Sequence, residues 1–578
     1  MPLPTRVKYQ TAVQNPRMCF RDPDLANSTA RCSANGMPLT YTGGFATTFR
    51  MRNAGVDWAV RCFTRPVAQL ARRYGIIERY ISKDKPAFLA SAALLPGGIQ
   101  IDSHWQPIIK MEWLSGYTLN AYIETQLRAA SKIIKLRDEL VGVAKAMQAK
   151  QMAHGDLQHG NIIVFDGRPR LVDYDGIYLP DLKGMVPDEL GHKHYQHPQR
   201  ARGDWGPEMD RFSLIALYVG LSAIALRREL WDTFNCGENV LFTKSDFAEP
   251  AASELFDELG GITAMEKMSE DFREICAGPL IGVPALEEFI ARLMAPSGQV
   301  KIVGKVTETY GEGANPSYSA AITPKHPTCI VFLIDQSGSM GAPYAGAQAG
   351  RSKAAVLADQ INALLAELTI LCIQGSMQVR DFFHVAVIGY GSKVQSVFGG
   401  LIPVSEVNAQ ARLVVIEDPR TGASVMSQVW IEAVADGMTP MCEALAQAQM
   451  LVEEWVSAHP KCFPPIVINF TGGEANDGDP VDKARRLTGV ASADGAVLLV
   501  NAYFPSVAGG AIEFPAAPAA LPVDPYALKL FEMSSVIPDA IIAMLRPYGI
   551  HFDDGARGMV FNSDDMAVAH LFHIIETT

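Results

Sequence analysis

Runs of almost unbroken apolar residues punctuate the second half of the chain: CIVFLID (329–335), FFHVAVIGYG (382–391), PPIVINF (464–470) and GAVLLVNAYF (495–504). Helix-like stretches alternate with them, SKAAVLADQINALLAELTILCI (352–373), MCEALAQAQMLVEEWV (441–456) and a final AVAHLFHIIETT (567–578). A strand that is apolar on both sides has to be covered on both sides. Strands of that kind separated by helices therefore predict a parallel sheet with helices on either face, a doubly wound α/β unit.

The first half has a different grain. Short strand-like runs, TTFRM, DWAVRCF and PIIKMEWL, come before residue 115, and helical patterns such as LRDELVGVAKAMQAKQM follow it. A small sheet-rich lobe followed by a larger helical one is expected. The segment between the halves, SGQVKIVGKVTETYGEGANPSYSAAITPKHP (297–327), is rich in Gly, Ser, Thr and Pro without periodicity and reads as a linker. A chain of 578 residues exceeds what one hydrophobic core organises, which agrees with a division at that point.

The formal net charge of −12 argues against a general polyanion binder, since nucleic-acid affinity rests on Lys and Arg. Nine scattered cysteines include no CxxC pair and suit a reducing compartment. The N-terminus, MPLPTRVKYQTAVQNPRMCF, lacks the apolar core of a secretory signal. The longest apolar run noted, FSLIALYVGLSAIAL (212–226), is shorter than a bilayer span and reads as a buried core helix. A cytoplasmic protein with no membrane or nucleic-acid partner is expected.

Phosphoryl transfer needs a carboxylate near the attacking hydroxyl, oxygen ligands for Mg²⁺ and a cation on the nucleotide phosphates. HGDLQHGNI (154–162) offers Asp156 for the first task and Asn161, five residues on, as an amide ligand. In RLVDYDG an apolar run ends at Asp173, a natural second metal ligand, with Asp175 competing for that role. These segments resemble the protein-kinase family. HGD matches the HRD catalytic loop, Asn161 its metal-binding Asn, and DYD (173–175) the DFG triplet. YQHPQ (195–199) is similar to the end of an activation segment. DRFSLIALY (210–218) is similar to the buried helix that follows it, with Asp210 as its anchoring acid. MEWLSGYTL (111–119) looks like the hinge, with Met111 as gatekeeper and Glu112 and Leu114 at the adenine. The resemblance implies a bilobal α+β fold over residues 38–296, the small lobe running to about 115, with residues 1–37 packed on it as an extension. HGDLxxxN also occurs in small-molecule kinases; the downstream segments favour a protein hydroxyl as acceptor.

The departures are specific. Arg61 in DWAVRCF stands where the family has its phosphate-gripping Lys, with Glu78 in GIIERYI as the implied helix partner. A planar guanidinium fork is not a point charge, and Arg61 reads equally as a phosphate contact or as a strand residue without one. YTGGFATTF keeps Gly43 and Gly44 of the glycine loop but has Tyr41 and Ala46 where glycine is usual. Gly155 replaces the catalytic-loop Arg, and Gln199 the acid of APE. The histidines of GHKHYQHP (191–198) lack the spacing of a structural zinc site and have no cysteine beside them.

In the second half, CIVFLIDQSGSMG (329–341) delivers Asp335, Ser337 and Ser339 to the carboxyl end of a strand, where open α/β sheets bind ligands. This resembles the von Willebrand factor A family, whose DxSxS triplet holds a divalent cation; GMTPMCEAL (437–445) supplies Thr439 as the loop ligand. The likeness covers residues 328–578. Where the family's TDG brings an acid, VINFTGGEAND has Gly472, leaving Glu474 or Asp477 to bend inward. The alternative is that Ser337 and Ser339 only cap the following helix.

Together the resemblances imply an ATP- and Mg²⁺-dependent protein Ser/Thr kinase fused to a von Willebrand factor A module, by analogy within a bacterial stress or defence system. The module would recruit a protein substrate or adaptor, with Mg²⁺ or another divalent cation at its site. The alternative is a pseudokinase that binds ATP as a scaffold.

Overall fold

The computed structural model describes residues 3–33, 36–44, 46–185, 187, 190–294, 318–344, 350–373, 379–418, 421–505, 510–546, 550–562, 570 and 575. The chain is mixed α/β, and its two large sheets belong to opposite halves of the sequence.

The first sheet is antiparallel, in the order Thr29–Ala30, Ala46–Asn53, Val56–Phe63, His104–Glu112 and Ala92–Ile101, with Thr40–Thr42 also paired to Ala46–Asn53. Alternation along Val56–Phe63 sorts its side chains by face. Val60 and Cys62 join Tyr9, Val13, Phe20 and Leu25 of the N-terminal segment in one core. Phe63 faces the other way, into a core shared with the Leu70–Asp84 helix and the helical body, and by the same alternation so does Arg61. In that body the helices Ala130–Ala149 and Arg211–Leu226 pack together. The apolar run 212–226 is indeed a buried helix: Phe212, Ile215, Leu217, Val219, Leu221 and Ile224 are each 2 % exposed or less. A three-stranded sheet of Tyr117–Thr118, Ile162–Phe165 and Arg168–Leu171 frames the loop that carries Asp156 and Asn161.

The second sheet runs Val394–Ser396, Phe383–Tyr390, Thr328–Asp335, Ile466–Thr471, Leu498–Tyr503, Met559–Phe561, Ile512–Glu513, with Ile402–Pro403 paired at one edge. Its five central strands are parallel and its edges antiparallel. Ile330, Phe332 and Ile334 lie in one core with Leu357, Ile361 and Leu364 of the Lys353–Leu371 helix. Val331 and Leu333 lie in the opposite core with Leu445, Ala448 and Val452 of the Met441–Ala458 helix. The doubly covered sheet expected from the apolar runs is present. The expected helix over 567–578 falls mostly outside the described residues. Among the described residues, Lys353–Leu371 is long and apolar enough to cross a membrane by length and composition, unlike the shorter run singled out from the sequence; 72 % of its window is buried inside the fold.

Two expected boundaries move. Residues 295–317 of the linker region lie outside the described residues, whereas 318–327 pack on the second half. Tyr318 is buried in its core and donates to the Ala496 carbonyl (2.8 Å), and Ser319 N–H reaches the Asp494 carboxylate (2.9 Å). The N-terminal segment shares a core with the small sheet and also touches the other half. Val7 N–H donates to Glu367 Oε1 (2.7 Å), and the Gln14 amide exchanges two hydrogen bonds with the Met426 backbone (3.1 and 2.8 Å).

Candidate active site and adhesion-type site

The loop bearing Asp156 is fixed from below. The Asp210 carboxylate, at the start of the Arg211–Leu226 helix, accepts the N–H groups of His154 and Gly155, the latter at 2.9 Å. Burial pushes the Asp210 carboxyl up, and the His154 charge and these amides work against that. Gly155 is required here. Its φ is +84°, and a Cβ would lie 2.4 Å from the Gly176 carbonyl oxygen. A glycine at this position is thus dictated by the close approach of the two loops.

Asn161 Nδ2 donates to Asp156 Oδ2 (2.7 Å), and the His192 amide donates to Asp156 Oδ1 (2.7 Å). The Asn161 carbonyl accepts from Val172 (3.0 Å), which ties this loop to the strand end carrying Asp173. Asp173 has left-handed backbone, φ +68°, unusual for a non-glycine residue and typical of constrained sites.

Arg61, 7 % exposed, forms ion pairs with both acids of the DYD triplet: Nη1 with Asp173 Oδ2, and Nη2 with Asp175 Oδ2 (2.5 Å). Burial opposes its charge, and the Asp173 and Asp175 carboxylates outweigh burial and hold Arg61 protonated. Tyr74 on the Leu70–Asp84 helix donates to Asp175 Oδ1 (2.7 Å), and Arg73 donates to the Asp175 carbonyl. Burial raises the Asp175 carboxyl, against the pull of Arg61, and raises the Tyr74 hydroxyl. The Arg61–Glu78 pair implied by the resemblance does not form: Glu78 is one turn beyond Tyr74, partly buried, and in none of the ion pairs among the described residues. Among the described residues, buried Arg61 Nε has no hydrogen-bond partner.

Around this centre, Gly43 and Gly44 are exposed in the turn before Ala46–Asn53. Tyr41 packs its ring 5.1 Å from Trp113. Met111 is buried, Glu112 reaches Arg170 (3.4 Å) at the strand end, and Leu114 packs on the core. His159 lies flat on Tyr195 (5.9 Å), while His192 and Arg380 both face Glu238 (3.6 and 2.9 Å). Burial lowers His159 and His194 to about 3. Glu238 is held down to about 2 in spite of burial, by His192, His159 and Arg380.

The second site lies where the neighbours of Thr328–Asp335 diverge, the chain passing first to Phe383–Tyr390 on one side and later to Ile466–Thr471 on the other. Such a switch point opens a crevice at the strand ends. Asp335 is 1 % exposed; Oδ1 accepts from the Ser337 amide (2.9 Å), and Oδ2 from the Gly472 amide (2.9 Å) and Thr471 Oγ1 (3.2 Å). Ser337 and Ser339 hydroxyls are 2.9 Å apart. Gly338 N–H on the Gly437 carbonyl (3.0 Å) brings the Thr439 loop alongside, with Thr439 buried. A Cβ on Gly472 would lie 3.5 Å from Asp335 Oδ2 and 3.4 Å from Ser339 Oγ, so position 472 faces the cluster.

Neither nearby acid bends inward. Asp477 accepts from the Cys442 and Glu443 amides (3.0 and 2.8 Å) at the start of the Met441–Ala458 helix, and Glu474 pairs with Asn476 (3.1 Å). Lys353 is buried beside this cluster; burial lowers it, and the Asp335 and Asp524 carboxylates pull the other way. One carboxylate with hydroxyls is a thin donor set for a divalent cation. Among the described residues no group of three or more His, Cys, Asp or Glu is placed to hold a metal.

Sequence reasoning missed Tyr74, Arg73, Thr471 and Lys353, and took Asp175 for a rival of Asp173. No motif marks the first four, which arrive through packing. No protein-family model matches the chain, and no curated protein matches it in sequence.

Proposed function

We propose that the first half is a protein-kinase-like domain that transfers the terminal phosphoryl group of Mg-ATP to a protein hydroxyl, and that the second half is a von Willebrand factor A module that recruits the substrate or an adaptor in the cytoplasm. The observation that carries this is the Asp156–Asn161 hydrogen bond, joined through Val172 to Asp173 and overlooked by a buried cation, Arg61. Mg-ATP would supply the phosphoryl group and neutralise its oxygens. Asp156 then orients the acceptor hydroxyl and takes its proton as the new P–O bond forms and the bond to the β-phosphate oxygen breaks. With Nδ2 of Asn161 committed to Asp156, its amide oxygen is the atom available to a cation, beside Asp173. Arg61 Nε, without a partner among the described residues, would serve as a donor for a phosphate oxygen.

A second reading rests on a specific observation. Arg61 is shared between two acids, and the module lacks an acid at 472, so the chain also suits a nucleotide-binding scaffold without turnover. Purified full-length protein with γ-labelled ATP and Mg²⁺ separates the two. Labelled protein, lost in Asp156→Ala, supports transfer. ATP-dependent thermal stabilisation without any label supports the scaffold, and absence of both refutes nucleotide use.

A further inference from the structure

Arg61 is held by two acids of unequal standing. Asp175 is 2 % exposed, and each of its carboxylate oxygens has a donor, Arg61 Nη2 at 2.5 Å and Tyr74 OH at 2.7 Å. Its backbone is gripped as well, by Arg73 on the carbonyl. The next residue, Gly176, accepts from Trp205 Nε1 (3.1 Å). Asp173 has a quarter of its side chain exposed (24 %), sits in left-handed backbone and pairs with Arg61 through one oxygen. Among the described residues, its other oxygen meets only the Asp175 amide, at 3.5 Å.

We infer that Asp175, braced by Tyr74, is the fixed counter-charge of Arg61 and does the work the family gives to a helix glutamate, whereas Asp173 is the exchangeable acid, released from Arg61 when a cationic or phosphate ligand enters the cleft. This explains the arginine. A guanidinium fork holds Asp175 with one nitrogen while the other changes partner; a single ammonium has no second arm. It also explains why Glu78 stands aside: the position it would take is filled from the DYD triplet. Asp175 and Tyr74 are positioning residues that act through Arg61. The role of Asp173 in this inference rests on the nucleotide reading above; the anchoring role of Asp175 does not.

The test uses full-length protein and the variants Asp173→Asn, Asp175→Asn, Tyr74→Phe and Arg61→Lys. Without nucleotide, Asp175→Asn should lower the melting temperature of the first half by about 4 °C or more, Tyr74→Phe by less, and Asp173→Asn by under about 2 °C. With ATP, Asp173→Asn should abolish the strengthening of binding by Mg²⁺. Tyr74→Phe should keep the Mg²⁺ effect while weakening binding about threefold at every Mg²⁺ concentration, a roughly 0.7 kcal/mol change. Arg61→Lys, though it restores the family residue, should lower the melting temperature and leave phosphoryl transfer no higher than wild type. The inference is overturned if Asp173→Asn melts lower than Asp175→Asn, if Tyr74→Phe removes the Mg²⁺ effect, or if Arg61→Lys gains stability or activity. Should the wild-type protein bind no nucleotide, the kinase reading falls, while the melting order still decides whether Asp175 is the anchor.

Discussion

Replacing Gly472 by Asp tests the second site in both directions. The position accepts a side chain: its backbone is outside the left-handed region, and the nearest atoms to a Cβ, at 3.4 to 3.5 Å, are at ordinary contact distance. The new carboxylate would sit about 4–5 Å from that of Asp335; at an effective dielectric constant near 20 two like charges at that range repel by roughly 3–4 kcal/mol. Lys353 and side-chain relaxation offset part of this, leaving a destabilisation of about 1–3 kcal/mol without metal. A divalent cation reverses the sign, because each carboxylate then attracts two charges, and a net gain of about 1.5–3 kcal/mol is a ten- to hundredfold tighter site. Thermal shift with and without millimolar Mn²⁺ or Mg²⁺ reads both effects. Wild type should move little, whereas Gly472→Asp should melt lower without metal and recover most of the loss with it. A folded variant indifferent to both cations, or a wild-type protein already stabilised at micromolar metal, refutes the argument that the missing acid limits this site.

Gly155→Ala forces a Cβ against the Gly176 carbonyl at φ +84°, and should cost about 2–4 kcal/mol by chemical denaturation; a change under about 0.5 kcal/mol would show that the two loops separate freely. Acid should weaken the fold early. His194, buried, and His159, partly buried, have pKa about 3 against an ordinary 6.5, so the unfolded chain binds protons that the native one refuses, and stability present above pH 6.5 drains away as pH falls toward 3. Each histidine removes about 1–2 kcal/mol by pH 5, and urea midpoints flat from pH 7 to 5 would contradict this. Gln14→Ala should leave the Met426 amide without its acceptor, raising its hydrogen-exchange rate while the core strand Ile330–Ile334 stays protected; unchanged exchange at Met426 means the contact is not kept in solution.

What could be read from the sequence, and what could not, divides by physical cause. The parallel sheet was legible because strands covered on both faces must be apolar throughout, as Ile330 to Ile334 are. Asp156 and Asn161 were legible as neighbours because five residues of one loop bring them together. Arg61 and its partners were not. Residue 61 meets residues 173 and 175 across more than a hundred positions, and which acid wins is settled by burial and by the Tyr74 hydroxyl rather than by spacing. The resemblance implied Glu78, at a plausible distance downstream, but Asp173 and Asp175 already pair with Arg61. The linker was misjudged at its far end for a related reason: 318–327 has a loop's composition, yet Tyr318 carries a ring large enough to enter the core.

The halves are also joined in a way composition does not reveal. From the second half, Glu367 and Met426 hold the N-terminal segment, which covers the back of the sheet bearing Arg61. Arg380 holds Glu238, which faces His192, whose amide holds Asp156. Three successive contacts thus link Asp156 to the other half, and the N-terminal segment links the sheet bearing Arg61 to it. A string of contacts is not by itself coupling; it becomes coupling when some element along it has two arrangements that the ends bias differently. Glu238 is poorly suited to that role, because its charge is secured from both sides. Arg61 is better suited, since one nitrogen is fixed and the other faces an acid in strained backbone. Any influence of the second half on the cleft would then be exerted through the small sheet and the N-terminal segment, and the Arg380 contact would serve to keep the Asp156 loop in place.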